Sequence, residues 1–421
     1  MPSLRRTRDR LFYGWVILAA LLIINTVTQG LSNSFGVFFK SLEGEFGLTR
    51  MATSGIFSTH MALGCVVSII GGWALDRYGP RTIIFLMGLF AGLSLLLTSQ
   101  VNSSWQLFVT YSLLLSIGTG SIYVITMATI LRWFDKKQGL ALGIAGSGAG
   151  LGTLAIAPLA THLISNSGWR TAYLLMGLAA LLIVIPLSRL LSKGPSEIEA
   201  RPGGVKPGSS GERELEKTGR EDSARLAGFS LPQASKTRNF WLLGSVWLLY
   251  SFCFLLILTH IVRHAIDMGI PAMEAAAILS LMGGSNIAGR LLMGRASDSL
   301  GRKATAITCA LLAAGAMTSL IWSQELWMLY LVGIACGFSF GGLDPSVTAL
   351  IGDSFGLRNI GVIMGTLNIA WGIGAATGPA IGGLIFDVTG SYAAAFSIGA
   401  TAMLAVALLI ALSKRGIKEG F

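Results

Sequence analysis

The sequence predicts an all-α membrane protein whose twelve spans form two pseudo-symmetric halves of six helices, with both termini in the cytoplasm. Three observations lead to this prediction: a low charge content, a regular series of apolar runs, and a one-sided distribution of basic residues. Only 12% of the 421 residues are charged, and 53% are hydrophobic. Because soluble proteins carry about 25% charged residues, this composition indicates a chain that lies mostly in lipid.

Twelve apolar runs, each near the ~20 residues that cross the hydrocarbon core, predict the spans. In chain order they are residues 12–39, 53–75, 82–99, 105–131, 139–165, 171–191, 239–265, 275–293, 304–323, 326–351, 360–386 and 392–412. The first run follows basic residues, as in a signal peptide, but it is too long and lacks a small-residue cleavage site. We therefore interpret it as a retained first helix.

Basic residues set the expected orientation. Twenty-six of the 31 Lys and Arg residues fall in the two termini, in the even-numbered connections between the runs, or, as Arg189 does, at the adjoining end of a run. The opposite side carries only Lys40, Arg50, Arg170 and Arg263. Cytoplasmic segments of membrane proteins carry this excess, so both termini are expected in the cytoplasm of a multi-pass protein of the cell (inner) membrane. The orientation in the membrane accounts for the net charge of +11, so no nucleic-acid partner is expected. The expected partner of the chain is the lipid bilayer.

A polar segment divides the chain. Residues 192–238 hold nine Lys or Arg and seven Asp or Glu, with a stretch rich in Pro, Gly and Ser from Arg201 to Gly211. Such a composition cannot bury a core. It predicts a cytoplasmic linker between an N-terminal half, residues 1–191, and a C-terminal half, residues 239–421.

The two halves repeat at an offset of 222 residues. Gly72 and Asp76 recur as Gly294 and Asp298. The same offset relates two sets of four glycines, which are Gly139, Gly143, Gly150 and Gly152 and then Gly361, Gly365, Gly372 and Gly374. The Gly–Asp match and the four-glycine match share one offset, and this agreement is hard to ascribe to chance in a glycine-rich chain. Parallel repeats of this kind are typical of secondary transporters.

Arg290 is the clearest functional candidate, because it is the one charge near the end of the apolar run Ala275 to Met293. A fixed cation in the hydrocarbon costs at least ~3 kcal/mol by insertion scales, so it requires a partner or a function. Its planar guanidinium matches a carboxylate bidentately, which favours an anion site. The alternatives are a structural pair with another helix and a side chain that reaches the interface.

Other polar side chains fall within the runs. Asn25, Gln29 and Asn33 recur at i, i+4 and i+8, which places them on one stripe that lines a wet cavity or bonds a neighbouring helix. Asp344, directly before Pro345, is the clearest carboxylate in a span and a proton-coupling candidate, with a structural kink as the alternative. His60 is a second proton candidate, for which a packing residue is the favoured interpretation.

A further cluster lies near the end of the seventh run. His260, His264 and Asp267 share one helix face with Arg263 between them. This spacing could hold a metal, but we expect none, and a pH-sensitive entrance is the ordinary interpretation.

The repeated loop Gly72-x-x-x-Asp76-Arg77-Tyr78-Gly79-Pro80-Arg81 resembles the signature G-x-x-x-D-R-x-G-[RK]-[RK] of the major facilitator superfamily. In that family the aspartate and arginine lock the cytoplasmic ends of the two halves together in one state. The resemblance implies the major facilitator fold, with Asp76, Arg77 and Arg81 as gating residues and Asp298 as the weaker copy. A charged tight turn between helices is the alternative.

Three further segments resemble the monocarboxylate and oxalate/formate carriers of that superfamily. They are Tyr13-Gly14-Trp15 with Phe35 to Phe39, Trp133 to Gly143, and Gly361 to Gly365 with Ala370-Trp371-Gly372 and Gly378-Pro379. The resemblance implies that Arg290 is the substrate arginine and that Tyr123, otherwise a core aromatic, faces the substrate.

The sequence departs from these carriers at positions that bear charge. Asn286 stands where the animal monocarboxylate carriers have an aspartate, and Asn33 where they have a lysine. Asn368 and Trp371 lie where the oxalate branch has a lysine. These four become candidate substrate-binding side chains. One cation suits one carboxylate, so a monocarboxylate is favoured over a dicarboxylate.

The expected function is secondary active transport of a small monocarboxylate, lactate- or pyruvate-like, with a proton, by alternating access. The rival within transport is anion exchange of organic acids such as oxalate and formate. A membrane receptor that does not translocate is a third possibility. The sequence contains no P-loop, no His-Glu-x-x-His motif and no convincing pair of nucleophile and base. We therefore expect neither ATP-driven transport nor enzymatic activity, and we expect no cofactor. The oligomeric state is left open, a monomer included.

Overall fold

The computed structural model of the protein describes residues 2–134, 136–194 and 228–413. Within these residues the secondary structure is helical, apart from one isolated antiparallel bridge between Gly228 and Gly356. This agrees with the predicted all-α architecture.

The helices that precede residue 195 are numbered α1 to α8. Their bounds are α1 Pro2–Asn33, α2 Phe35–Phe46, α3 Arg50–Tyr78, α4 Pro80–Thr98, α5 Ser104–Leu107, α6 Leu115–Thr119, α7 Ile122–Trp133 and α8 Gln138–Ser188. A π-helical segment, Phe108–Leu114, joins α5 to α6 into one long helix.

The helices that follow residue 227 are numbered α9 to α15. Their bounds are α9 Leu231–Ala234, α10 Arg238–Asp267, α11 Ala272–Leu300, α12 Arg302–Ser319, α13 Leu326–Phe355, α14 Ile360–Thr389 and α15 Ala393–Leu412.

Ten helices in the described part of the chain are long and apolar enough to cross a membrane. One of them, α8, is 51 residues long and breaks at Gly168, whose φ of 80° and ψ of 162° are not helical. The break separates the two predicted runs 139–165 and 171–191. Helix α12 covers most of the run 304–323 but is not among the ten. The described part of the chain therefore has ten to twelve apolar helices where the sequence predicts twelve, while the two-half symmetry and the cytoplasmic termini stay predictions.

The chain groups into two compact units. Unit 1 comprises Met1–Asp135, Ala145–Ser230 and Gly356–Gly365, and unit 2 comprises Lys136–Ile144, Leu231–Phe355 and Thr366–Phe421. The short segments 136–144 and 356–365 therefore each pack within the unit opposite to their half of the sequence. Most of the predicted linker, residues 195–227, lies outside the described residues, and the division at 191 and 239 stays a prediction.

Glycines bring α11 and α13 together in unit 2. A Cβ on Gly337 would meet the backbone of Met282, and one on Gly341 would meet the backbone of Asn286. Such close approach of helix backbones is the usual role of small residues in membrane proteins. The crossing brings the turn of α13 around Asp344 against the turn of α11 that bears Arg290.

Candidate functional site

Arg290 of α11 and Asp344 of α13 form an ion pair in unit 2, in which Nη1 of the arginine donates to Oδ2 of the aspartate. Their side chains are only 13% and 8% exposed. A charge buried at this level needs a partner, and removal of either side chain would leave the other uncompensated. The two side chains that the sequence singled out as cation and carboxylate thus lie together.

Asn286 orients the guanidinium. It lies one turn before Arg290, and its Oδ1 accepts from Arg290 Nε at 3.2 Å, while its Nδ2 donates to the carbonyl of Gly337 at 3.3 Å. The position where the animal carriers have an aspartate therefore supplies a neutral oxygen in this chain. The anionic partner of Arg290 comes from α13 instead, so the cluster carries no net formal charge.

Tyr250 of α10 belongs to the same cluster, and sequence reasoning missed it. Its hydroxyl donates to the carbonyl of Phe340 at 3.4 Å, one helical turn before Asp344. The ring packs between Phe254 and Phe340, at centroid distances of 6.1 and 5.8 Å, and is buried. In an apolar helix this rich in aromatics, no sequence signal distinguishes Tyr250 from a core residue.

The polar stripe of α1 lies in unit 1 and is partly engaged with α8. Asn25 is fully buried and donates to the carbonyl of Ala145 at 2.9 Å. Asn33 is exposed and donates to the hydroxyl of Thr153 at 3.1 Å. These two bonds support the interhelical alternative for both residues. Gln29 lies between them and is half-buried, and its cavity-lining role stays a prediction.

The remaining substrate-binding candidates stay predictions. Tyr123 is half-buried on α7, and Asn368 and Trp371 are half-buried on α14. The carbonyl of Trp371 accepts from the Ser251 hydroxyl at 2.7 Å, which ties α14 to α10 within unit 2.

His60 is enclosed in unit 1. It is 2% exposed, and its Nε2 lies 2.8 Å from the hydroxyl of Ser32. Its ring packs against Tyr111 at 5.6 Å, and the Tyr111 hydroxyl donates to the Ser32 carbonyl at 3.2 Å. This environment supports the packing interpretation, and a proton role stays a prediction.

The histidines at the end of α10 pack against aromatic side chains. His260 Nε2 bonds to the carbonyl of Pro379 at 2.9 Å, and the His264 ring meets the Tyr392 and Phe396 rings edge-on at 5.8 and 5.3 Å. Among the described residues, no group of three or more His, Cys, Asp or Glu could hold a metal ion.

Asp76, in the last turn of α3, holds the beginning of α14. Its Oδ1 accepts from the amide of Gly361 at 3.0 Å and its Oδ2 from the amide of Val362 at 2.9 Å. A carboxylate at the N-terminus of a helix satisfies free amides and favours the helix dipole. Gly72 makes this contact possible, since a Cβ there would collide with the backbone of Gly361.

Arg132 is the cation on Asp76. The Nη2 of Arg132 donates to Oδ1 at 2.5 Å, and the side chains are 3% and 9% exposed. Arg132 also donates to the carbonyl of Leu357, from Nε at 3.4 Å and from Nη2 at 3.3 Å. We call Asp76, Arg132 and the backbone of residues 357–362 the Asp76 lock. Sequence reasoning missed Arg132.

The two arginines proposed for gating lie elsewhere. Arg77 and Arg81 are exposed, and the Arg77 guanidinium lies over the rings of Trp73 and Tyr78 at 5.7 and 5.5 Å. Neither takes part in an ion pair with Asp76 among the described contacts, and their gating role stays a prediction.

Asp298 makes the matching contact in unit 2. Its Oδ1 accepts from the amide of Gly139 at 2.8 Å and its Oδ2 from the amide of Leu140 at 3.1 Å, at the beginning of α8. The paired positions differ from those of the Asp76 lock by the same 222 residues. Unlike Asp76, Asp298 is exposed. The nearby arginine, Arg302, bonds instead to Asp353 and to the side chain of Gln138.

Comparison with known proteins identifies the family of this chain. A model of the Major Facilitator Superfamily matches residues 21–301 and 265–419. The chain is 28% identical over 402 residues to monocarboxylate transporter 13 of Rattus norvegicus, covering 93% of this chain and 87% of the relative. It is 26% identical over 406 residues to monocarboxylate transporter 11 of Homo sapiens, covering 93% and 81%.

Solved structures show the same fold. The proton:xylose symporter XylE, bound to a glucose derivative, superposes with a TM-score of 0.71 at 16% identity, covering 96% of this chain and 97% of the other. The transporter FucP in its outward conformation superposes with a TM-score of 0.68 at 14% identity, covering 94% and 98%. The chain therefore belongs to the Major Facilitator Superfamily and is a multi-pass transporter of the cell membrane, not an enzyme, and the relatives that it resembles are named monocarboxylate transporters.

Proposed function

We propose that the protein moves small monocarboxylates, lactate- or pyruvate-like, together with a proton by alternating access. The observation that carries the proposal is the ion pair of Arg290 and Asp344 within membrane-spanning helices. Relatives named monocarboxylate transporters, which are 24–28% identical to this chain, support the substrate class.

The charges of the pair supply a mechanism. The substrate carboxylate engages the guanidinium of Arg290 and takes the place of Asp344. An isolated carboxylate in the hydrocarbon is costly as an anion, so Asp344 takes up a proton as it loses its cation. The loaded carrier then holds a neutral Arg290–substrate pair and a neutral acid, and it reorients without moving net charge through the membrane. After release of substrate and proton, Asp344 returns to Arg290 and the empty carrier is neutral again.

Neighbouring groups fit the rest of a small hydroxy or keto acid. The hydroxyl of Tyr250, on α10, bonds to the carbonyl one turn before Asp344, and the amide of Asn286, on α11, bonds to Arg290 itself. Both can exchange a backbone or side-chain partner for a substrate oxygen. A single arginine offers one bidentate site, which favours one carboxylate over two.

The contacts of Asp76 and Asp298 support a role in gating. Each aspartate bonds the first amides of a helix that lies in the other half of the sequence. Alternating access requires that such contacts break and form again, so we assign both carboxylates to closure of the cytoplasmic side.

Anion exchange is the second candidate, because Asn286 and Asn33 are neutral where the animal carriers have charged residues. An exchanger needs no titrating carboxylate, since the countersubstrate neutralises Arg290. Uptake of labelled lactate and pyruvate into proteoliposomes separates the two. Symport predicts concentrative uptake driven by an inward proton gradient with no internal anion. Uptake that requires internal oxalate, formate or lactate and ignores the gradient would establish exchange, and binding without uptake would indicate a receptor.

A further inference from the structure

The segment that follows α8 is hydrogen-bonded to the Asp76 lock. The Tyr13 hydroxyl donates to the Leu190 carbonyl at 2.8 Å, and Trp133 Nε1 donates to the Ser192 carbonyl at 3.0 Å. Lys193 then reaches α3, where its Nζ donates to the backbone carbonyl of Asp76. The three bonds tie residues 190–193 to α1, to α7 and to the end of α3, all within unit 1.

The segment that precedes α9 is hydrogen-bonded to the chain around residues 356–359, which carries the backbone part of the same lock. Gly228 forms an antiparallel bridge with Gly356, and Asn359 Nδ2 donates to the carbonyl of Phe229 at 3.0 Å. Asn359 directly precedes α14, whose first amides bond to Asp76. Leu357, between Gly356 and Asn359, is the residue whose carbonyl accepts from Arg132.

Asp76 thus joins two helix ends. Its side chain satisfies the free amides at the beginning of α14. Its own carbonyl is one of the last four of α3, which have no partner within the helix. Lys193 supplies a donor there, and a cation at the C-terminus of a helix also interacts favourably with the helix dipole.

We propose that Lys193 and Asn359 are positioning residues of the Asp76 lock, through which the chain on both sides of residues 195–227 is fixed to it. Lys193 sets the end of α3 that presents the Asp76 carboxylate. Asn359 sets the backbone that presents the amides of Gly361 and Val362. The lock cannot open fully without releasing residues 192–193 or 228–229. This inference rests on the gating part of the proposed function and is independent of which anion is carried.

Amide hydrogen exchange of the full-length protein in lipid nanodiscs tests it, read on peptides that cover residues 356–365. Asp76→Asn removes an ionised acceptor and serves as the reference for an opened lock. Lys193→Met keeps the length of the stem and removes the donor, whereas Lys193→Arg keeps a donor. Asn359→Ser keeps a residue suited to precede a helix but removes the amide that reaches Phe229.

Lys303→Met is the matched control. Lys303 also donates to carbonyls at the end of a helix, those of Ala411 at 2.6 Å and Ser413 at 2.8 Å, but all three residues belong to unit 2, whereas the Asp76 lock belongs to unit 1. We expect Lys193→Met and Asn359→Ser each to raise exchange of 356–365 roughly fivefold, the change that the loss of one ordinary hydrogen bond produces. Lys193→Arg and Lys303→Met should leave it within twofold of the parent.

The outcomes separate positioning from general stability. A rise confined to 356–365 and to the end of α3 supports the proposal, and rescue by Lys193→Arg strengthens it. An unchanged rate in Lys193→Met and Asn359→Ser overturns it, as does a rise spread over α4 to the same extent. If Asp76→Asn changes nothing, the lock itself is wrong and the proposal falls with it. A failure to transport monocarboxylates would leave these exchange rates, and hence this inference, unaffected.

Discussion

Two arginine–aspartate pairs in this protein have similar chemistry and different surroundings. Asp76 with Arg132 lies in unit 1 and Arg290 with Asp344 in unit 2, and all four side chains are largely buried. The first pair is tied to backbone, because Asp76 accepts from two amides and Arg132 donates to a carbonyl. In the second pair the guanidinium bonds to the side chain of Asn286, and it is 13% exposed against 3% for Arg132.

The difference teaches how one type of ion pair can serve as a lock or as a binding site. A pair bonded to backbone can be replaced only if a helix moves, so it reports and controls conformation. A pair whose arginine bonds to a neighbouring side chain and is partly exposed can exchange its carboxylate for that of a solute. We therefore assign conformational control to Asp76 and anion recognition to Arg290.

The largest expected effect on transport comes from removal of the anion site. Arg290→Ala should reduce monocarboxylate uptake by about 100-fold or more, since truncation of one partner in a buried charge pair costs roughly 2–5 kcal/mol. Arg290→Lys keeps the charge but loses the fork, and should bind much more weakly. The measurement is initial uptake in proteoliposomes. Arg295→Ala, an exposed arginine on the same helix, is the control. Substantial uptake by Arg290→Ala would remove Arg290 as the anion site.

The second prediction separates the carboxylate of the site from the cation. Asp344→Asn cannot take up a proton, so it should lose concentrative, pH-driven uptake to the equilibrium level while it retains exchange of labelled for unlabelled substrate. The same proteoliposomes, loaded with unlabelled lactate, measure both activities. Accumulation equal to that of the parent under an imposed gradient would place the proton elsewhere, with His60 or the substrate itself next in line.

The third prediction concerns the lock. Asp76→Asn leaves Arg132 without its anion and weakens the bonds to Gly361 and Val362. The conformational population should shift toward cytoplasmic opening by roughly tenfold, as expected for the loss of one charge-assisted hydrogen bond. Cysteines engineered on the two faces of a background without Cys65, Cys253, Cys309 and Cys336 report the shift by their labelling rates. The preference among substrates should not change, and unchanged labelling on both faces would refute the lock.

The smallest effect is expected at the matching contact in unit 2. Asp298 bonds two amides as Asp76 does, but it is exposed, and exposed charges contribute roughly 0–1 kcal/mol. Asp298→Asn should therefore shift the labelling ratio by no more than about fivefold. A comparison of the labelling ratios of Asp298→Asn and Asp76→Asn shows which of the two contacts stabilises the closed state more. A larger shift for Asp298→Asn would show that burial and the Arg132 pair do not set the strength of the lock.

Most of the fold could be predicted because crossing a membrane requires long apolar runs, and hydropathy records them directly. The break of α8 at Gly168 separates two runs that the sequence already divides. Arg290 was identifiable for the same reason, since one charge in an apolar run is conspicuous. Asp344 was identifiable as the carboxylate beside Pro345, but its contact with Arg290 depends on how α11 crosses α13.

The missed residues lacked such a signal. Arg132 lies in the last turn of an apolar helix just before Lys136 and Lys137, where basic residues are ordinary, and its partner Asp76 is 56 positions away. Tyr250 lies among aromatic residues that pack in a core. The stripe of Asn25 and Asn33 was visible, but periodicity gives a face and not the neighbour that it meets, so the bonds to α8 could not be foreseen.

The central claim is that Asp344 and Arg290 together couple one proton to one monocarboxylate, and luminal pH in proteoliposomes tests it most directly. An inward lactate gradient, imposed without a pH gradient, should acidify the lumen in step with labelled lactate at a ratio of 1:1, after subtraction of protein-free liposomes. Asp344→Asn should exchange lactate without acidification. Acidification by Asp344→Asn at the parental rate, or lactate entry through the parent protein without proton entry, would contradict the account.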